Sequence, residues 1–237
     1  MKRARRIALG TVVLAFAAAG AVSSGSAGAS RTQINPADFT TKIDNPYLPW
    51  VPGTHFHYIG TKPPGTRNPV AVTHRTTRIL GVKCRVVRDV VTHNGKPVER
   101  SLDWYAQDKK GNVWYFGEAS STFQHGHFVH EPSDSWRAGR HGARPGILME
   151  AHPRKGDVYH QEDAPNSKDR AKVLGYISSK TVPYGTFHHV LVTKEFTPLE
   201  PNSIDHDFYA RGIGEIQETN VKGGEGKTKL VSITHGH

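Results

Sequence analysis

The chain holds one cysteine, Cys84, in 237 residues. A lone thiol forms no intramolecular disulfide, so the fold must rest on packing. Its setting, Gly81-Val82-Lys83-Cys84-Arg85-Val86-Val87, reads as the inside of a strand and predicts a buried inert thiol rather than a nucleophile. Helical periodicity is also missing: beyond the N-terminal segment, no stretch of about eleven residues or more repeats apolar positions at helical spacing. No block of lysine or arginine marks a nucleic-acid surface. No Gly-x-Ser-x-Gly elbow, His-Glu-x-x-His pair, P-loop or Cys-x-x-Cys is present, which removes the signatures of several hydrolase, metalloprotease, nucleotide and redox classes. His160 and Glu162 have the His-x-Glu spacing of zinc deaminases without the Pro-Cys-x-x-Cys that completes that site.

Only one long apolar run occurs, Ile7 to Val22, and it follows Lys2, Arg3, Arg5 and Arg6 and precedes Ala27-Gly28-Ala29. This is the layout of a secretory signal peptide over residues 1–29, exported by the general route, with the mature chain starting near Ser30. The run is too short and too rich in Ala and Gly for a comfortable membrane span, so a secreted, soluble, extracellular protein is expected. The full chain carries +10; without those four cations it carries +6, a mildly basic surface compatible with loose attraction to an anionic cell wall.

What remains is rich in β signals. Residues 30–53 are punctuated by Asn35-Pro36, Asn45-Pro46 and Pro52-Gly53 and read as an extended lead-in pinned by Phe39, Tyr47 and Trp50. Residues 54–237 read as one β-rich domain. Thr54–Gly60, Val70–Leu80, Val82–His93 and Val98–Gln107 alternate as four strands with tight turns, Asn94-Gly95 among them. A stretch near 119–156, thin in apolar residues, is expected as a long loop insertion. Strand signals return at Asp157–Glu162, Lys172–Ser178, Thr186–Phe196, Ile204–Ala210, Glu215–Val221 and Lys227–Thr234. Runs longer than about eight residues belong to strongly twisted or closed sheets, so the expected architecture is all-β, a curved antiparallel meander or incomplete β-barrel.

Several of these segments carry a recognisable signature: Asp103-Trp104-Tyr105-Ala106-Gln107-Asp108 with Gly111-Asn112-Val113-Trp114-Tyr115-Phe116-Gly117-Glu118, then Gln161-Glu162, Pro198-Leu199-Glu200-Pro201 and Tyr209-Ala210-x-Gly212-x-Gly214. On these residues the chain resembles a family of secreted actinobacterial proteins, a resemblance that spans most of residues 30–237, implies export, and conveys no activity. The meander is also distantly similar to the half-barrels of periplasmic lipoprotein carriers, which would imply a concave apolar pocket.

The strongest local signal is the hairpin Ser101–Glu118, with Asp108 opening its turn and Gly111 taking the positive-φ place. If Asp108 pairs with Asn112, then Trp104, Ala106, Trp114 and Phe116 share one face, expected to be core. Asp103, Tyr105, Gln107 and Tyr115 share the other, expected to be wet. Asp103 would stand opposite Gly117, leaving space beside a carboxylate and two phenols. Asp103, Tyr105 and Tyr115 are therefore the candidate ligand-binding residues. In that register Glu118 falls on the Trp104 face, and a slip of one residue would reverse this.

Histidine is over-represented, with 15 residues and three His-x-His pairs at His55/His57, His125/His127 and His235/His237. On a strand such a pair shares a face, about 7 Å apart at Cα, and can hold Zn²⁺ or Cu²⁺ if a third ligand arrives. His125, His127 and His130 form the best candidate metal set. Asp103, Glu118, Glu162, Glu195, Glu200, Asp205 and Asp207 form a carboxylate set, in which Glu162 and Glu195 are expected as ion partners of arginines. Together these residues point to a secreted binding or interaction protein that holds a small amphipathic or apolar ligand on a curved sheet. The alternatives are an extracellular metal-dependent hydrolase and a histidine-rich metal-binding protein.

Overall fold

Alternation of apolar and polar side chains over runs of up to 14 residues leaves the chain little choice but to pair strand to strand. A computed structural model describes residues 34–236, so the expected export signal at 1–29 lies outside the described residues. Among the described residues sixteen strands occur in order: β1 Phe39–Thr40, β2 Thr54–Gly60, β3 Thr66–Ile79, β4 Val82–His93, β5 Lys96–Asp108, β6 Val113–Gln124, β7 His127–His130, β8 Trp136–Arg137, β9 Arg144–Met149, β10 Val158–His160, β11 Glu162–Asp163, β12 Arg170–Val182, β13 Gly185–Phe196, β14 Ile204–Ala210, β15 Gly214–Lys222 and β16 Lys227–His235. Among the described residues no helix is long and apolar enough to cross a membrane.

Thirteen strands pair antiparallel in the order β10-β12-β13-β14-β15-β16-β2-β3-β4-β5-β6-β9-β11, a sheet curled almost into a barrel with one unsealed seam. Bulges supply the bending: the register shifts between Val72 and Thr76, between Asp103 and Tyr105, between Val173 and Gly175, and between Leu230 and Ser232. At the seam, the segment expected as one strand over Asp157–Glu162 divides. Val158–His160 pairs with β12 at one edge of the sheet and Glu162–Asp163 pairs with β9 at the other, so Gln161 carries the chain across the gap. Gln161 and Glu162 N–H both donate to the Asp169 carbonyl, at 2.8 and 3.1 Å. Gly146 on β9 faces this crossing so closely that a Cβ there would lie 2.4 Å from the Gln161 carbonyl oxygen and 2.5 Å from that of His160. The seam is thus drawn together by a glycine contact and chain continuity instead of a hydrogen-bond ladder.

The stretch expected as a loop insertion carries short strands between its turns and irregular segments. β6 runs on to Gln124, and the following chain lies along its free edge in three pieces, β7 on Ser121–Gln124, β8 on Gly117–Glu118 and β9 on Val113–Tyr115. Pieces of two to six residues separated by Gly and Pro are too short to show a period of two in sequence.

Outside the barrel, the lead-in covers the hairpin of β5 and β6. Phe39 meets Trp114 and Phe116 edge-on, with ring centroids 5.9 and 5.5 Å apart. Arg137 lies over the Trp104 ring and donates to the Arg78 carbonyl. Cys84 is fully buried and its thiol is pushed up to about 12, first by burial, so it is inert as expected. At the far side the long β12–β13 hairpin reaches across to β16, where Tyr184 N–H donates to the Leu230 carbonyl at 3.1 Å.

Candidate ligand cavity of the barrel

The turn of the β5–β6 hairpin forms as its residues dictate: Asp108 N–H donates to the Asn112 carbonyl, Gly111 N–H to the Asp108 carbonyl, and Gly111 has φ +87°. Tyr105 pairs with Tyr115 and Ala106 with Trp114, in the expected register. Beyond them the register shifts by one residue, so Asp103 stands opposite Glu118 instead of Gly117. Gly117 accommodates the bulge with φ +131°, where a Cβ would lie 2.4 Å from the Trp136 carbonyl oxygen. Glu118 thereby joins the Asp103 face.

That face is the inside of the barrel, which corrects the assignment of core and wet sides. Asp103 is only 4% exposed, Tyr105 3% and Tyr115 0%, while Trp104 is half-buried on the outer wall under Arg137. Closure causes the inversion, and the bulge only adds Glu118 to this face: a sheet that curls shut takes its concave face out of solvent whatever that face carries. Asp103 accepts hydrogen bonds from Ser101 Oγ at 2.6 Å and Tyr115 OH at 2.7 Å. Tyr115 is fixed in turn by stacking on Tyr105, 4.6 Å between centroids, and by the edge of Trp136 at 5.1 Å.

A cavity of ≈ 90 Å³, measured as room for the centre of a water-sized sphere, opens inside the barrel. Asp103 and Tyr105 line it; Tyr115 lies behind Asp103 and holds it. Apolar walls come from Leu48 and Trp50 of the lead-in, Phe56 on β2, Val70 on β3, Val87 on β4 and Leu148 on β9. Trp50 presents its ring to Tyr105 at 4.8 Å. Tyr58 and Tyr209 add two more phenols, and Asp89, Glu195, Asp207, Glu215 and Glu218 bring the carboxylates at the cavity to six with Asp103.

Such crowding moves protons. The Asp207 carboxyl is held well above the usual carboxylate range by burial, and then by Glu195, Glu215, Glu218 and Asp205. Its Oδ2 accepts from Thr193 Oγ1 at 3.2 Å. Asp89 is likewise raised well above its ordinary value by burial and by Asp103, against an opposing hydrogen bond from Asn68. Glu99, further along β5, is raised to about 7 by burial, with Asp134, Asp103 and Glu131 adding to it. Burial raises the phenols of Tyr58, Tyr115 and Tyr209 as well.

The candidate histidines are elsewhere. His125 occupies the exposed turn between β6 and β7 with φ +51°, His127 Nδ1 contacts the His125 carbonyl, and His130 Nδ1 contacts the Ser120 carbonyl at 3.1 Å. Among the described residues no group of three or more His, Cys, Asp or Glu side chains is placed to hold a metal ion. Of the carboxylate set, Asp103, Glu195 and Asp207 reach the cavity, whereas Asp89, Glu215 and Glu218 were missed. Asp205, His206, Asp207, Phe208 and Tyr209 alternate buried and half-buried along β14. Glu215 and Glu218, three apart, share a face only because β15 bulges between its pairings to Tyr209 and Phe208.

No family model and no curated protein matches the chain, so the resemblance to secreted actinobacterial proteins has no counterpart there. Two solved structures are similar in fold. One is described as a "putative exported protein with YmcC-like fold" from Bacteroides fragilis, at 14% identity and a TM-score of 0.42 over 78% of this chain and 96% of that one. The other is described as a "putative lipoprotein" from Parabacteroides distasonis, at 11% identity and a TM-score of 0.41 over 79% of this chain and 98% of that one. At these identities and scores neither speaks to function.

Proposed function

We propose that this chain is an exported binding protein whose barrel interior takes a small amphipathic molecule by its basic group. The reading is carried by one observation: six carboxylates face a single cavity whose remaining wall is aromatic and aliphatic. Carboxylates in a low-dielectric site repel one another, and the repulsion falls either when protons bind or when an organic cation enters. An ammonium or guanidinium group is attracted to both wall types, to the carboxylates by charge and to aromatic rings such as those of Trp50, Tyr58, Tyr105 and Tyr209 by the ring quadrupole. The aliphatic side walls then cover the apolar part of the ligand. A cavity of ≈ 90 Å³ has room for a small head group. Export rests on Lys2, Arg3, Arg5 and Arg6 before the apolar run.

Calorimetric titration with a short alkylammonium series and the matched alcohols tests this. The ammonium compounds are expected to bind at least about tenfold tighter than the alcohols, and Asp207→Asn with Asp103→Asn is expected to abolish the difference. Equal affinity for alcohol and ammonium overturns the basic-group reading.

A further inference from the structure

The wall from β12 to β16 separates charge by face. Glu195, Asp205, Asp207 and Glu218 turn inward, and their strand neighbours turn outward. Following the register across the outer face, Val158 pairs with Lys172, Lys172 with Lys194, Lys194 with His206, His206 with Thr219 and Thr219 with Lys227. This one rung crosses six strands and, at roughly 4.8 Å per strand, runs about 24 Å. It carries three lysines and a histidine and no carboxylate. The adjacent rung, Arg170, Phe196, Ile204 and Lys222, places an aromatic and an aliphatic side chain between two cations. Lys229 extends the basic area on the other side.

Like charges directly across a strand pair destabilise a sheet, and Lys172 and Lys194 are such a pair. Among the described residues, none of Lys172, Lys194, Lys227 and Lys229 forms an ion pair, although elsewhere surface lysines such as Lys42 and Lys109 do. Lys194 is steadied over the Phe196 ring at 5.0 Å, so its ammonium is presented and not folded away.

We propose that this outer wall is a docking surface for an acidic polysaccharide bearing carboxylates. The outside of a nearly closed barrel is convex, so a linear chain can follow the rung, whereas a planar bilayer would touch it along a line. A row of ammonium groups with no carboxylate among them complements the repeated negative charges of a linear polyanion. Phe196 and Ile204 supply an apolar strip against which the C–H faces of sugar rings pack. The surface lies on the opposite face of the strands from the cavity and is independent of what the cavity holds.

The test is binding of the purified protein to immobilised polygalacturonate, with neutral dextran as control, at about 0.05 M and about 0.5 M salt. Binding at low salt only, and none to dextran, is expected. The triple variant K172E/K194E/K227E is expected to bind about tenfold or more weakly, while R75E/K83E/R88E, the same charge change on a distant wall, is expected to lose less than about threefold. If the first triple variant unfolds, K172Q/K194Q/K227Q replaces it. Equal loss in both triples, absence of binding at low salt, or tighter binding to polyphosphate or duplex DNA would each overturn the proposal.

Discussion

At the scale of the residue, Asp103 and Trp104 show how burial follows closure and not hydrophobicity. Trp104 stands on the outer wall, half-buried, so Trp104→Ala should cost only about 1–2 kcal/mol, whereas the fully buried Phe116 beneath Phe39 should cost about 3–5 kcal/mol on truncation to Ala. Urea unfolding of the two variants decides it; the reverse ranking would put Trp104 back in the core. Tyr115 acts through Asp103. Tyr115→Phe removes a donor at 2.7 Å from a buried carboxylate and should destabilise by about 1.5–3 kcal/mol. A loss near zero in the same measurement would mean that another donor replaces the phenol.

At the scale of the element, the seam is the least supported part of the wall. β9 and β10 approach without a shared ladder, and Gly146 lets the crossing at His160 and Gln161 lie against β9. Gly146→Ala sets a methyl against two backbone oxygens that no side-chain rotation can clear, so about 1–3 kcal/mol of destabilisation is expected. Hydrogen exchange should quicken selectively over Val158–Asp163 and β9. Uniform quickening across the barrel would show that the seam opens only with global unfolding.

At the scale of the whole molecule, the buried acids make an unusual pH dependence. Asp89 and Asp207 are raised well above the carboxylate range, and Glu99 and Glu150 are each raised to about 7, the latter by burial and Asp157. Each binds its proton more tightly in the folded chain than in the unfolded one. Between about 4.5 and about 7 the native state therefore holds more protons, and stability falls as pH rises through that window. The midpoint of thermal unfolding should be higher near pH 5 than near pH 8, and an added alkylammonium compound should recover part of the loss at pH 8. A midpoint that climbs steadily from pH 5 to pH 8 would refute this.

Composition and alternation by themselves determined that this is an antiparallel all-β protein. Period-two runs such as Val82–His93 and turn residues such as Asp108, Gly111, Asn94 and Gly95 act locally, and local physics is legible in a chain. The same alternation put Asp103, Tyr105 and Tyr115 on a common face. Which face becomes the interior, which carboxylates meet across the barrel, and that Glu118 joins Asp103 were decided by tertiary structure alone. Each depends on a single-residue bulge or on strands far apart in sequence closing one wall, as Asp89 and Asp207 do at the cavity, and a register shift of one residue leaves no mark on the pattern that precedes it.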